Sequence, residues 1–277
     1  MDLFSKKIIK ELLQNQRFSP KKRLGQHFLI DRSASKKILK ASGIQSGDVV
    51  LEIGPGIGNL TQELARAARK VIAVEKDREM IKVLERTTKD FKNIKIIQGD
   101  ILKINPGEYN LESKKYKIIA NLPYYITSPA IRKFLESERH PEEMTLMVQK
   151  EVAQRIVAKP PNMSLLAVSV QFYARPEIIT FISKKSFWPQ PKVDSAIIRI
   201  KNIHKNKRIS RGKFFKIVKA GFSQPRKQII NNFIRGLKID RKKAEQWLSK
   251  NSINPERRAE TLEIGDWLTL LKTFPSY

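Results

Sequence analysis

The sequence contains no cysteine. Disulfides, thiolate metal sites and a cysteine nucleophile are therefore excluded. Histidine is scarce too: His27, His140 and His204 lie far apart, and no HExxH-like pair exists to seat zinc. No metal is expected. Apolar runs reach strand length only, short of the ~20 residues that a membrane span requires, so no membrane partner is expected either. The N-terminal residues lack an apolar signal core. Leu3, Phe4, Ile8, Ile9, Leu12 and Leu13 recur at helical spacing among lysines, while Asp2 and Glu11 speak against an organelle transit segment. Residues 1–22 read instead as a basic arm that docks on RNA or on the protein's own surface, and a cytoplasmic location is the expectation. Acidic residues are also in short supply. Against 27 Asp and Glu stand 55 Lys and Arg, a formal net charge of +28. Such an excess calls for an anionic partner. A membrane surface or a generally lysine-rich proteome would also account for it. Nucleic acid answers it best, because neutralised phosphates release counterions.

What is present is an alternation of short β-rich runs with helical ones. Val49 to Ile53, Val71 to Val74, Ile94 to Ile97, Ile118 to Ala120 and Met144 to Val148 have strand composition. Helical patterns lie between them: Asn59 to Arg69, a run capped by Asp77, one opened by Ser128-Pro129, and Glu151 to Ala158. Ile178 to Ile182 and Ala196 to Ile200 are two further strands. The alternation predicts an α/β fold, a Rossmann-like, mostly parallel sheet with helices on both faces. Ligands of such sheets sit at the carboxyl ends of the strands. After about Lys201 only helical patterns remain: Phe214 to Ala220, Gln228 to Ile234, Ala244 to Leu248 and Ile264 to Phe274. The expected organisation is an arm (1–22), an α/β domain (23–203) and a small all-helical C-terminal domain (204–277).

Chemistry concentrates at the predicted strand ends. Gly54-Pro55-Gly56-Ile57-Gly58 follows the first strand and opens a helix, as a backbone that must approach a ligand does. The same glycines can serve packing alone. Glu75 ends the second strand and can accept from both hydroxyls of a ribose, or else pair with Lys76 or Arg78. Asp100 ends the third and can accept from an adenine amine, or else cap a turn. Together the three point to one nucleoside ligand. Asn121-Leu122-Pro123-Tyr124 ends the fourth strand. The lone pair of an adenine amine is delocalised into the ring. Acceptors at its N–H bonds, such as the Asn121 side-chain oxygen and the Leu122 carbonyl, localise and orient it. Pro123 stiffens the turn, and Tyr124 offers a stacking face. A strand-ending turn with a core tyrosine is the plainer alternative.

In order, these pieces resemble the ribosomal RNA adenine dimethyltransferases, the KsgA group, from about Arg23 to Leu270. The matching runs are Leu24-Gly25-Gln26-His27-Phe28-Leu29, Glu52 to Gly56, Asn121 to Tyr124, Gln149 to Arg155, Phe187 to Ser195, Arg226-Lys227-Gln228 with Asn231-Asn232, and Arg258 to Leu262. The resemblance implies a class I methyltransferase that uses S-adenosyl-L-methionine. Gln26, His27, Leu29, Gly54, Gly56, Glu75, Lys76, Asp100, Ile101 and Asn121 would form the cofactor site. Leu122 and Pro123 would complete the catalytic turn, and Tyr124 and Phe187 would sandwich a flipped adenine. It implies dimethylation of two adjacent adenines in a hairpin loop near the 3′ end of small-subunit rRNA, within an assembling subunit, by a monomer. Lys21, Lys22, Arg23, Arg226 and Lys227 are the candidates for phosphate contacts. His27, Tyr125 and Met163 to Leu166 depart from the residues usual in the group. The rivals are a large-subunit rRNA methyltransferase conferring antibiotic resistance, a non-catalytic assembly factor and a DNA adenine methyltransferase. The Arg258 to Leu262 ending and Asn231-Asn232 favour the small-subunit group, and the intact Asn121 to Tyr124 turn favours catalysis.

Overall fold

The computed structural model describes residues 1–15, 18–21, 24–204 and 209–274. Lys22 and Arg23, two of the phosphate-contact candidates, lie outside the described residues. The chain forms two compact units, residues 1–153 with 175–203, and residues 154–174 with 204–277.

The first unit is built on a seven-stranded sheet in the order β4-β3-β2-β5-β6-β9-β7. Its strands are β2 (Val49–Ile53), β3 (Lys70–Glu75), β4 (Ile94–Gln98), β5 (Lys117–Asn121), β6 (Met144–Gln149), β7 (Arg175–Ile182) and β9 (Ser195–Lys201). The run from β4 through β6 is parallel, and β9 lies antiparallel between β6 and β7. The central strands are buried almost throughout, which is why they read as continuous β-branched runs rather than alternating ones. Around them pack α2 (Arg32–Ser42), α3 (Asn59–Ala67), α4 (Arg78–Thr88) and α5 (Thr127–Glu136), and α6 (Lys150–Ile156) follows β6. Asp77 caps α4 as its sequence position predicts, accepting from the Glu79 N–H at 3.2 Å. Two-residue strands β1 (Phe28–Leu29) and β8 (Phe187–Trp188) pair antiparallel, with Leu29 opposite Phe187. Nothing in the composition announces strands so short.

The N-terminal arm belongs to this unit. α1 (Lys6–Asn15) buries Ile9, Leu12 and Leu13 in a cluster with Phe18, Ile57, Met80 and Val83. Its apolar stripe is thus a core face, and its lysines point outward because that stripe does not.

The second unit holds α7 (Leu165–Gln171), α8 (Arg211–Gly221), α9 (Ile229–Leu237), α10 (Arg241–Lys250) and α11 (Ile264–Lys272). Phe214, Phe233, Trp247 and Trp267 fill its centre, joined by Met163, Ala167 and Val168 from the earlier segment. The single boundary at 203/204 read from the sequence is therefore incomplete. Residues 154–174 precede the last two strands in the chain yet belong with the helices, because the apolar stripe of α7 finds its partners there. No described helix is long and apolar enough to cross a membrane.

Candidate active site

The carboxyl ends of β2 to β5 and the segment 24–29 enclose one pocket. The glycine turn after β2 forms its floor. Gly54 sits at φ 66°, and a Cβ there would stand 3.1 Å from the Pro123 ring. Glycine is needed both for the left-handed backbone and for the close approach of the two turns. Glu75 follows at the tip of β3, nearly buried. One of its oxygens accepts from the Asp77 N–H at 2.8 Å and the other from the Gly56 N–H at 3.3 Å. Burial raises its pKa against the pull of those bonds. These bonds, with a third from the Lys76 N–H, fix the carboxylate, whose four acceptor positions leave room for a ligand hydroxyl.

The Lys76 Nζ pairs with Asp100 at 2.9 Å. That bond, more than any other influence, lowers the Asp100 pKa, and the Leu102 N–H takes its other oxygen at 3.0 Å. Asp100 thus caps a turn, one of the two readings its position allows, while the Lys76 pair favours its ionised form. Ile101 beside it is buried and closes the wall.

Asn121 ends β5. Its amide NH₂ donates to the His27 carbonyl at 3.2 Å. Among the described residues no donor takes up its Oδ1, so the acceptor end faces the pocket unclaimed. The Leu122 N–H is tied to the Met147 carbonyl at 3.1 Å, which holds the turn to β6. The Tyr124 hydroxyl shares a 2.8 Å hydrogen bond with the Ser195 Oγ, and its ring centroid lies 5.7 Å from that of His27. His27 is held in turn by a 2.6 Å contact from Nδ1 to the Pro189 carbonyl.

The remaining site candidates fall in the pocket wall, in the core or at the surface. Phe187 is not brought to the pocket. It is only 2% exposed and packs in the core with Leu29, Ile182 and Ile197, because the β1–β8 pairing turns it inward. Leu29 is likewise buried, its carbonyl accepting from the Asn59 amide, although it lines the pocket wall. Gln26 lines the pocket, its side chain bonding the Lys21 N–H at 2.7 Å and Asp77 at 3.1 Å. Lys21, a phosphate candidate, instead forms ion pairs with Asp77 at 3.0 Å and Glu79 at 2.9 Å, which raise its pKa. Arg226 and Lys227 are exposed between α8 and α9.

Two pocket residues received no role from the sequence. Glu52 is 1% exposed, its Oε2 has no hydrogen-bond partner, and burial pushes its pKa up to about 8. The signal was there: a lone carboxylate inside Val49–Ile53, an otherwise apolar strand. Tyr125, 47% exposed at the rim, had no such signal. With Glu75 and Asp100, Glu52 makes this pocket acidic in a strongly basic protein. An orphaned buried carboxylate oxygen, a ribose-type acceptor and a glycine cradle fit a cationic nucleoside such as S-adenosyl-L-methionine.

A family model described as ribosomal RNA adenine dimethylase matches residues 17–275. The chain belongs to that family. It is 42% identical over 263 residues to Ribosomal RNA small subunit methyltransferase A of Dehalococcoides mccartyi, covering 94% of this chain and 90% of the relative. The Geobacillus thermodenitrificans protein of the same name is 40% identical, covering 94% and 93%. Among solved structures, a dimethyladenosine transferase from Plasmodium falciparum superposes with a TM-score of 0.74 at 29% identity, covering 90% of this chain and 97% of that one. The 23S rRNA methyltransferase ErmE gives 0.71 at 27%, covering 89% and 98%. The dimethylase family thus accounts for almost the whole chain, both units included. The fold is that of a class I methyltransferase, and the protein is an enzyme dependent on S-adenosyl-L-methionine.

Proposed function

We propose that this chain transfers methyl groups to the N6 amines of two adjacent adenines in a hairpin loop near the 3′ end of small-subunit rRNA, acting as a monomer on an assembling subunit in the cytoplasm. One observation carries the reading: the Asn121 amide is anchored by the His27 carbonyl while its Oδ1 takes no donor among the described residues, in a pocket lined also by Tyr124, Glu75 and Asp100. S-adenosyl-L-methionine, when bound, supplies an electrophilic methyl group on a sulfonium.

The residues then divide the work. Glu75 would accept from the ribose hydroxyls and Asp100 from the adenine amine of the cofactor, and the carboxyl of Glu52 in the same pocket would favour its positive charge. Asn121 Oδ1 and the Leu122 carbonyl accept from the target amine and turn its lone pair toward the methyl. Tyr124 supports the base, held at its hydroxyl by Ser195. Extracting the adenine from its stack costs a few kcal/mol, least for a loop base. Orientation can supply roughly 7–11 kcal/mol of the barrier. No general base is needed, since the amine loses its proton after transfer. The relatives at 40–42% identity carry a small-subunit name, whereas the 23S enzyme stands at 27%, which favours the small-subunit reading.

The test is mass spectrometry of rRNA fragments after reaction with isotopically labelled cofactor. Dimethyladenosine at two neighbouring positions of a small-subunit hairpin is the expected product. Label confined to large-subunit fragments would overturn the assignment.

A further inference from the structure

The opposite end of the sheet carries a feature that methyl transfer does not use. A groove of about 560 Å³ opens at the amino ends of β2, β3 and β4, beside residues 106–110. Its lining includes Arg69, Lys70, Lys92 and Lys95 with Asn93 and Tyr109, and no carboxylate. Ion pairs among the described residues engage other cations throughout. Asp48, whose backbone carbonyl accepts from the Arg69 and Lys70 N–H groups, has its carboxylate paired with Lys117 at 2.9 Å.

The backbone beneath these cations is fixed. The Asn93 amide donates to the Ala65 and Ala68 carbonyls at 2.8 and 3.0 Å. The Arg69 and Lys70 N–H groups both reach the Asp48 carbonyl, at 3.0 and 3.3 Å. Lys95 Nζ lies 5.4 Å from the Tyr109 ring centroid. Four like charges are thus gathered in one concavity with no internal counterion, an arrangement that a polyanion relieves. The concave shape suits a phosphodiester strand better than the plane of a bilayer.

We infer that this groove is a second RNA-docking site, which takes the phosphate backbone of a segment distant from the target loop. The inference rests on the RNA substrate proposed above. Lys70 and Glu75 are the two ends of β3, so groove and active site stand roughly 17 Å apart at about 3.3 Å per residue. A loop whose adenine fills the pocket does not also fill the groove; a neighbouring helix of the folded RNA does. Selection thereby extends from the hairpin to the folded rRNA around it.

The test pairs a charge reversal with a matched control. Lys92→Glu with Lys95→Glu reverses two exposed groove residues, and Lys36→Glu with Lys37→Glu makes the same charge change on the exposed face of α2. Binding of each variant is measured across a salt series, to an isolated target hairpin and to a folded small-subunit rRNA fragment containing it. The groove variant is expected to bind the folded fragment at least about tenfold more weakly near 0.1 M salt. Its log–log salt slope should fall by about two. Hairpin affinity and hairpin methylation should be unchanged, and the control should lose far less. Equal loss in the control, equal loss on the hairpin, or no loss at all would overturn the groove while leaving the catalytic reading intact. A wild-type protein that binds the folded fragment no more tightly than the isolated hairpin would also overturn the groove, whereas absence of label from the small-subunit RNA of assembling subunits would overturn the catalytic reading on which it rests. Should the reversal fail to fold, Lys92→Gln with Lys95→Gln asks the same question.

Discussion

Glu52 should make the ligand-free protein lose stability as pH rises. Its carboxyl is 1% exposed with one oxygen unpartnered, and burial, aided by the charge of Glu75, moves its pKa from 4.5 to about 8. Between those values the folded protein binds a proton that the unfolded chain has released, so stability falls with increasing pH. The favourable contribution is complete below pH 4.5 and is lost as pH climbs through 8. At about 1.4 kcal/mol per unit the loss is about 5 kcal/mol, an upper value because local relaxation reduces it. Glu52→Gln keeps the shape and removes the titration. Denaturant unfolding of wild type and variant at pH 5, 7 and 9, without cofactor, isolates the term, since the other groups cancel in the difference. The variant should match wild type at pH 5 and exceed it by several kcal/mol at pH 9. It should also bind S-adenosyl-L-methionine more weakly. In wild type at pH 7, binding a cation beside Glu52 should release about nine-tenths of a proton, read by calorimetry in buffers of different ionisation enthalpy. A variant no more stable than wild type at pH 9, or a proton release that survives the substitution, would refute the reasoning.

Other expectations concern the catalytic turn and the helical unit. Asn121→Ala should lower the single-turnover methylation rate at saturating cofactor by at least about tenfold while leaving RNA affinity nearly intact, because the lost acceptor acts mainly as the amine attacks. Tyr124→Phe should cost about 1 kcal/mol of stability through the lost Ser195 bond and little rate, whereas Tyr124→Ala should slow methylation strongly. Equal damage from both would give the hydroxyl a role that the mechanism lacks. Gly221→Ala should destabilise the second unit by about 1–3 kcal/mol, since its Cβ would meet the buried Trp267 ring at 2.5 Å. A melting curve identical to wild type would show that the ring can yield.

The parallel strands and the pocket were legible because burial on both faces and strand-end chemistry leave dense signals. Val49–Ile53 and Lys117–Asn121 are apolar runs, and Gly54, Glu75, Asp100 and Asn121 fall directly at their ends or at those of their neighbours. The antiparallel return of β9 leaves no mark on composition, since pairing direction depends on chain connection. Phe187 illustrates a different limit. Two-residue pairing with β1 decides which way its ring faces, and no pattern can be read from two residues. Lys21 counts toward net charge in the sequence, yet Asp77 and Glu79, distant in the chain, neutralise it in the fold. The cations of the groove escaped notice for the converse reason. Arg69-Lys70 and Lys92 to Lys95 are unremarkable as short basic runs, and only the adjacency of β3 and β4 gathers them.

The second unit draws on two stretches of chain, and this has a bearing on the order of synthesis. Residues 154–174 leave the ribosome before β7 and β9 do, whereas Phe214, Phe233 and Trp267 follow much later. For that interval Met163, Ala167 and Val168 have only neighbours from their own segment, such as Ala158 and Phe172, and their apolar faces are open to wrong contacts. A stop at residue 203 would make the interval permanent. Such a fragment would complete its sheet and still aggregate, unless residues 154–174 were also cut out and a short linker joined the flanking strands.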